Sequence, residues 1–204
     1  MNYDYLINLI FVINIVLTIS ANLPLAGQTF KHKLAPVSYK PKTFLQNTPK
    51  YVSAIIFIMI ILGLFGIGKI KLNNSSINLI RLISTIFYVV FTWIQIYAAK
   101  QLKQFYTQDI IVFKDQEIFQ NGWYGLVRHP IYLSQICQDL FAGIALLNYL
   151  ILITTLFIEI PLYIMRANLE EEILSKNFPY YNDYKKLVGK WFPKIFNLNF
   201  KKNI

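Results

Sequence analysis

Four long apolar stretches, Tyr5–Ser20, Tyr51–Ile70, Asn78–Ala99 and Ile131–Met165, alternate with polar segments along a chain of 204 residues. Apolar residues come in blocks within each stretch, without the three-to-four-residue rhythm of a helix that keeps one wet face. A helix needs roughly 20 mainly apolar residues to cross a bilayer, so each of the first three stretches predicts one span. The fourth is about twice that length, and Asn148 breaks it near the middle. It predicts a tight C-terminal hairpin with arms Ile131–Leu147 and Tyr149–Met165, both short for a span. The pattern predicts an all-α integral membrane protein with about five transmembrane helices; four spans plus a re-entrant pair is the alternative.

The polar segments complete the outline. Loop 21–50 contains Pro24, Pro36, Pro41 and Pro49, which predicts irregular chain with a short interfacial piece around Phe30–Leu34. After Met165, the sequence RANLEEEILSKNF sets Leu169, Ile173, Leu174 and Phe178 near one helical face, and Pro179 ends the helix. The following YYNDYKKLVGKWFPKIF mixes aromatics with lysine, as a helix lying among lipid headgroups does. Residues 1–99 read as a transmembrane scaffold of three spans, and 100–204 as the region that carries the chemistry.

Composition supports a membrane protein and charge orients it. Hydrophobic residues make up 55% of the chain and the mean hydropathy is +0.43, too apolar for an ordinary soluble domain. The N-terminal MNYDY has an acid and no Lys or Arg, which argues against a cleaved signal peptide. The net charge is +10. Lys and Arg are missing before the first span and gather in loop 21–50, loop 100–130 and the segment from Arg166 onward. Lys69, Lys71 and Arg81 flank the turn between the second and third spans. The positive-inside rule then puts the N-terminus outside (or in a lumen) and the 100–130 face and C-terminus in the cytosol, which an odd number of spans satisfies. Lysines beside spans attract anionic headgroups, so the basic balance points to membrane lipids as partners and not to nucleic acid. The single cysteine, Cys137, excludes an internal disulfide and a multi-cysteine metal site.

Two polar clusters flank the predicted hairpin. In GWYGLVRHP, Gly122 and Gly125 allow a tight turn, and Pro130 favours a helix start there. His129 and Arg128 therefore stand at the hydrocarbon edge, where charge is expensive. The free N–H groups of a helix start favour an anion. The plainer reading of Arg128 is a boundary residue reaching phosphates. The second cluster, Arg166 to Glu172, puts Arg166 and Glu170 on one helical face, with Glu171 and Glu172 pointing elsewhere. A tight hairpin would return this cluster to the side of His129. Within the hairpin, Asp139 and Glu159 fall at similar depth, either lining a polar pocket or bonding between helices. No metal motif, phosphate loop, nucleophile elbow or dinucleotide fingerprint is present.

These residues resemble a known family. G-W-Y-G-L-V-R-H-P-I-Y (122–132), a two-span hairpin, R-A-N-L-E-E (166–171), L-S-K-N-F (174–178), the tyrosines Tyr181 and Tyr184, and W-F-P (191–193) together are similar to the isoprenylcysteine carboxyl methyltransferases and related phospholipid methyltransferases. The resemblance spans about 100–194. It implies a membrane methyltransferase that uses S-adenosylmethionine without a Rossmann domain or a metal. It also implies that Gln116, Glu117, Ile118, Phe119, Tyr124, His129, Pro130, Ile131 and Tyr132 contact the cofactor. Glu170 would hold a cationic group of the cofactor, and Arg166 the acceptor's carboxylate. Gln116 stands where some relatives carry histidine, and Asn177-Phe178-Pro179 replaces the family's phenylalanine-glycine.

Transfer of a methyl group from a sulfonium to a carboxylate is an in-line displacement needing neither acid nor base, so positioning dominates. The implied acceptor is a lipid-modified protein ending in a prenylcysteine. The alternatives are a phosphatidylethanolamine-type lipid amine or a small thiol, and an amine would add the need to remove a proton. Nicotinamide-dependent sterol reductases share a related C-terminal architecture, but carry Lys-x-Asn-Tyr where this chain has His129-Pro-Ile-Tyr132. A membrane scaffold without activity is the remaining alternative.

Overall fold

The structure, a computed structural model, describes residues 3–32, 37–72, 75–102, 105–114 and 116–194. Its helices are α1 (Tyr3–His32), α2 (Thr48–Leu64), α3 (Ser75–Gln101) and α4 (Pro130–Leu146). α5 (Tyr149–Thr154), a π-helical turn (Thr155–Glu159) and α6 (Ile160–Asn177) follow as one continuous rod, and α7 (Tyr181–Leu187) is short. Among the described residues, three stretches are long and apolar enough to cross a membrane: Tyr3–Leu23, Ser76–Gln101 and Tyr149–Asn177. α2 is apolar but shorter.

α3 packs chiefly on α4 and then on α1, around the fully buried Ile7, Phe11, Ile56 and Ile151. Phe11 stacks on Tyr88 with ring centroids 4.1 Å apart. The outer faces are as apolar as this core, with Val16, Leu79, Ile86 and Phe157 all exposed. Such continuous apolar surface would be an aggregation hazard in water but is ordinary against lipid. This is an integral membrane protein.

Three expectations change. α1 runs on to His32, through the first part of the loop expected to be irregular. Pro24 removes one internal hydrogen bond, while neighbouring Ala21, Leu23, Leu25 and Ala26 are strong helix formers. Of the expected interfacial piece, Phe30–His32 close α1 and residues 33–34 lie outside the described residues. The rest of that loop adds a feature absent from a purely helical plan. β1 (Val37–Tyr39) pairs antiparallel with β2 (Val112–Phe113), Val37 opposite Phe113 and Tyr39 opposite Val112.

The second apolar stretch stops being helical at Leu64, six residues before its apolar end. Gly66, at φ +85°, donates to the Gly63 carbonyl at 2.9 Å, and Ile67 donates to Leu62 at 3.2 Å. This paired closure uses the left-handed conformation that glycine adopts without penalty.

The chain after this closure is tied to the turn between α4 and α5. Leu147 takes a left-handed conformation, and the buried Asn148 caps α5 by accepting from the N–H groups of Leu150 and Ile151. Its amide also donates to the Ile67 carbonyl at 2.8 Å. Main-chain bonds from Ile70 to Leu147 and from Tyr149 to Gly68 complete the knot. Asp4 bonds Lys69 at 2.7 Å and Arg81 at 2.5 Å at this end, so it offsets two of the three cations flanking the α2–α3 turn. Asn148→Ala removes a helix cap and a buried interhelical bond together. It should cost about 1–3 kcal/mol, seen as a lower thermal unfolding midpoint in detergent; an unchanged midpoint would contradict the knot.

Candidate active site

The site is built where α3, α4 and α6 end on the side opposite the knot. A 3₁₀ turn, Gly122–Gly125, leads into it. Gly122 sits at φ +59°, and a Cβ there would collide with the Gln101 side chain. Gln101 accepts from the Trp123 N–H at 3.1 Å, which fixes the turn to the end of α3. Pro130 opens α4, with His129 at its cap, as the sequence predicts. The tail lies alongside: Val127 bridges Gly189 in parallel, and Arg128 N–H donates to the Gly189 carbonyl at 2.9 Å.

Arg128 and His129 are not boundary residues reaching into a headgroup layer. His129 is buried and Arg128 largely so, and both meet Glu171, which accepts from Arg128 Nε at 2.9 Å and lies 3.0 Å from His129 Nε2. Arg128 also donates to the carbonyls of Lys185 and Val188, and Lys190 approaches Glu171 at 3.6 Å. Glu171, expected to point elsewhere, therefore anchors the tail across the site; only Glu172 is solvent-facing, paired with Lys176. No local pattern in the sequence pointed to this role of Glu171, because Arg128 lies 43 residues away.

One helical turn back, the other half of the cluster closes the centre. The Tyr132 hydroxyl donates to Glu170 Oε1, and Arg166 Nε donates to both, at 2.8 Å and 3.1 Å. Arg166 Nη1 donates to the Leu45 carbonyl at 3.3 Å and Nη2 to the Gln108 carbonyl at 2.6 Å. Glu170 Oε2 stands 3.9 Å from His129 Nδ1. The His129 ring lies nearly parallel to Tyr132, and Tyr132 packs on Tyr163 at 4.8 Å, giving an aromatic row. The clusters at 128–132 and 166–171 are thus brought together.

A cavity of about 330 Å³, the size of a small-molecule site, opens over this centre. His129, Pro130, Ile131, Tyr132, Tyr124, Arg166, Glu170 and the segment Gln116–Phe119 all line it. Gln116 is held by main-chain and side-chain bonds to Phe113, and Phe119 meets Tyr124 edge-on at 6.3 Å. Tyr181 and Tyr184 close the same side with Ile118 and Leu174, and the Tyr184 hydroxyl donates to the Tyr124 carbonyl at 2.6 Å. Burial raises the phenols of Tyr124, Tyr181 and Tyr184 above their usual range, so they act as neutral aromatic walls.

Lining residues also come from the half of the chain read as scaffold: Pro49, Lys50 and Ser53 of α2 and Gln95 of α3. Lys50 bonds Asp109, a pairing that sequence spacing does not reveal. Asp139 and Glu159 do not line the cavity; they sit behind its wall, both buried. Gln135 donates to Asp139 at 2.7 Å, and Ser53 contacts Glu159 at 3.4 Å and Tyr163 at 3.0 Å. Of the two sequence alternatives for these acids, a bond between helices is observed for Glu159, through Ser53, while Asp139 is bonded along its own helix. The π-helical turn ending at Glu159 re-aims that carboxyl inward. No group of three or more His, Cys, Asp or Glu side chains able to hold a metal occurs among the described residues.

The fold and site define a helical integral membrane protein with a polar, aromatic-walled cavity at one end of its spans. Residues 82–176 match the model of the isoprenylcysteine carboxyl methyltransferase family. No curated protein matches the chain. The match covers a little under half of the chain, from within α3 to the last turn of α6. It begins earlier than the quoted motifs and stops before the tail. It supports the activity of a membrane carboxyl methyltransferase.

If Glu171 anchors the tail, Glu171→Gln should loosen it without unfolding the spans. Tryptic cleavage at Lys185, Lys186 or Lys190 in the folded protein should quicken about tenfold, as expected for losing roughly 1.4 kcal/mol of local stability. Equal cleavage rates for the variant and the unchanged protein would contradict this.

Proposed function

We propose that the protein is an S-adenosylmethionine-dependent methyltransferase that forms a methyl ester on a lipid-borne carboxylate, as on a protein ending in a prenylcysteine. The observation carrying this reading is the Tyr132–Glu170–Arg166 centre, which lies in one cavity and inside the region matched to the family. The residues fit the cofactor: aromatic faces from Phe119, Tyr124 and Tyr181 suit an adenine ring, and Glu170 is a carboxylate suited to a cationic group. When bound, S-adenosylmethionine supplies an electrophilic methyl group on a sulfonium.

In this reading His129 to Tyr132 and Gln116 to Phe119 form the cofactor wall. Tyr132 holds Glu170 in place, while Arg166, which has two N–H groups uncommitted among the described residues, orients the acceptor carboxylate. The reaction needs orientation above all, and the bonds of Arg166 to two loop carbonyls supply that rigidity. Asp139 and Glu159, which an amine acceptor would use as proton takers, lie behind the wall; this favours a carboxylate. The five-span topology, with α2 and α4 as short spans and the cavity facing the cytosol, accords with the positive-inside count. The acceptor's lipid tail would then reach the cavity from the bilayer.

Membranes containing the protein should transfer radiolabelled methyl groups from S-adenosylmethionine to farnesylated cysteine, giving a product that mild alkali releases as methanol. Glu170→Ala should lower the rate at least roughly a hundredfold, as loss of a preorganised charge does. Alkali-stable label in the lipid fraction would assign an amine acceptor instead. Label that persists undiminished in Glu170→Ala would remove Glu170 from the site.

A further inference from the structure

Beyond the family-matched region, α2 brings to the cavity a cation whose charge is arranged unlike that of Arg166. Lys50 lies in the first turn of α2, lines the cavity and keeps 27% of its side chain exposed. Its ammonium group bonds one oxygen of Asp109, and Lys40 bonds the other at 2.5 Å. Burial opposes ionisation of Asp109, but the two lysines hold its carboxyl below the usual range, so it is a carboxylate. Two ammonium groups face one carboxylate here, leaving a surplus positive charge at the cavity edge. Arg166 has no such surplus, because Glu170 balances it.

Both cations line the cavity, and the chain links them. Arg166 Nη2 donates to the carbonyl of Gln108, and the next residue is the Asp109 that holds Lys50. A carboxylate therefore already sits on a lysine that lines the cavity. Asp109 would keep Lys40 if it gave up Lys50. Exchanging one carboxylate for another on Lys50 leaves the ammonium paired throughout, which avoids the cost of an uncompensated charge.

We propose that Lys50 is a second cation for the acceptor's carboxylate, and that Asp109 occupies it until the acceptor arrives. The proposal rests on the carboxyl-methyltransferase reading and deepens it: Lys50 selects acceptors that carry a carboxylate. The cofactor also has a carboxylate, but the wall proposed for it runs from His129 to Tyr132 and from Gln116 to Phe119, on other elements than α2.

The test measures binding of farnesylated cysteine and its methylation by the full chain in detergent, with Lys50→Gln, Lys50→Arg and Asp109→Asn variants. Lys50→Gln should weaken acceptor binding and raise its KM about tenfold, the scale of one charge-assisted contact, with the KM for S-adenosylmethionine unchanged. Lys50→Arg should restore most of the affinity. Asp109→Asn should tighten acceptor binding, because it removes the competing carboxylate. A purely structural clasp would be broken alike by Lys50→Gln and Asp109→Asn, so weaker acceptor binding in both would overturn the proposal. Unchanged binding in Lys50→Gln, or a shift confined to S-adenosylmethionine, would overturn it too. Because binding is read without turnover, Lys50-dependent binding with no ester formed would sink the reaction while keeping the site.

Discussion

The guanidinium of Arg166 is the joint on which the rest of the site depends. It is nearly inaccessible to solvent and sits at the end of a rod whose outer faces are apolar. A charge so placed must be paired and hydrogen-bonded or it will destabilise the fold. Its partners come from four parts of the chain: Tyr132 on α4, Glu170 on its own helix, and the carbonyls of Leu45 and Gln108 in two separate loops. Satisfying one cation thus draws together the start of α4, the end of α6 and both polar segments on this side. The cavity is the space left between those elements.

Glu171 does a parallel task one residue further along. Successive helical residues point about 100° apart, so Glu170 faces the cavity centre while Glu171 faces Arg128 and the tail. The acidic run that looks like a solvated patch in sequence is divided among three duties: Glu170 in the centre, Glu171 in the clamp and Glu172 in a surface pair. At the far end, Asn148 and the glycine-closed end of α2 tie the opposite turns together. The bundle is consequently pinned at both ends, with lipid-facing side chains between.

Much of this was legible in the sequence because hydrophobic blocks and prolines carry local information. The start of α4 at Pro130, the turn at Asn148 and the end of α6 before Pro179 all follow from residue chemistry at those points. The residue pair Arg166–Glu170 follows from helical spacing. The partners of Arg128, Lys50 and Glu159 were not legible, because each lies on an element remote in sequence and no local pattern fixes such contacts. The four prolines of loop 21–50 misled in the other direction: they suggested irregular chain throughout, where strong helix formers carry α1 through Pro24. The short β1–β2 pairing joins segments more than seventy residues apart and had no signal in either.

The central claim is that the cavity over Tyr132, Arg166 and Glu170 holds the methyl donor. Calorimetric titration of the purified protein with S-adenosylhomocysteine, the demethylated cofactor, tests it most directly. The account predicts saturable binding of one molecule per chain, weakened at least about tenfold by Tyr132→Ala, whose lost contacts span both the aromatic row and Glu170. Absence of binding, or binding indifferent to Tyr132, would contradict it.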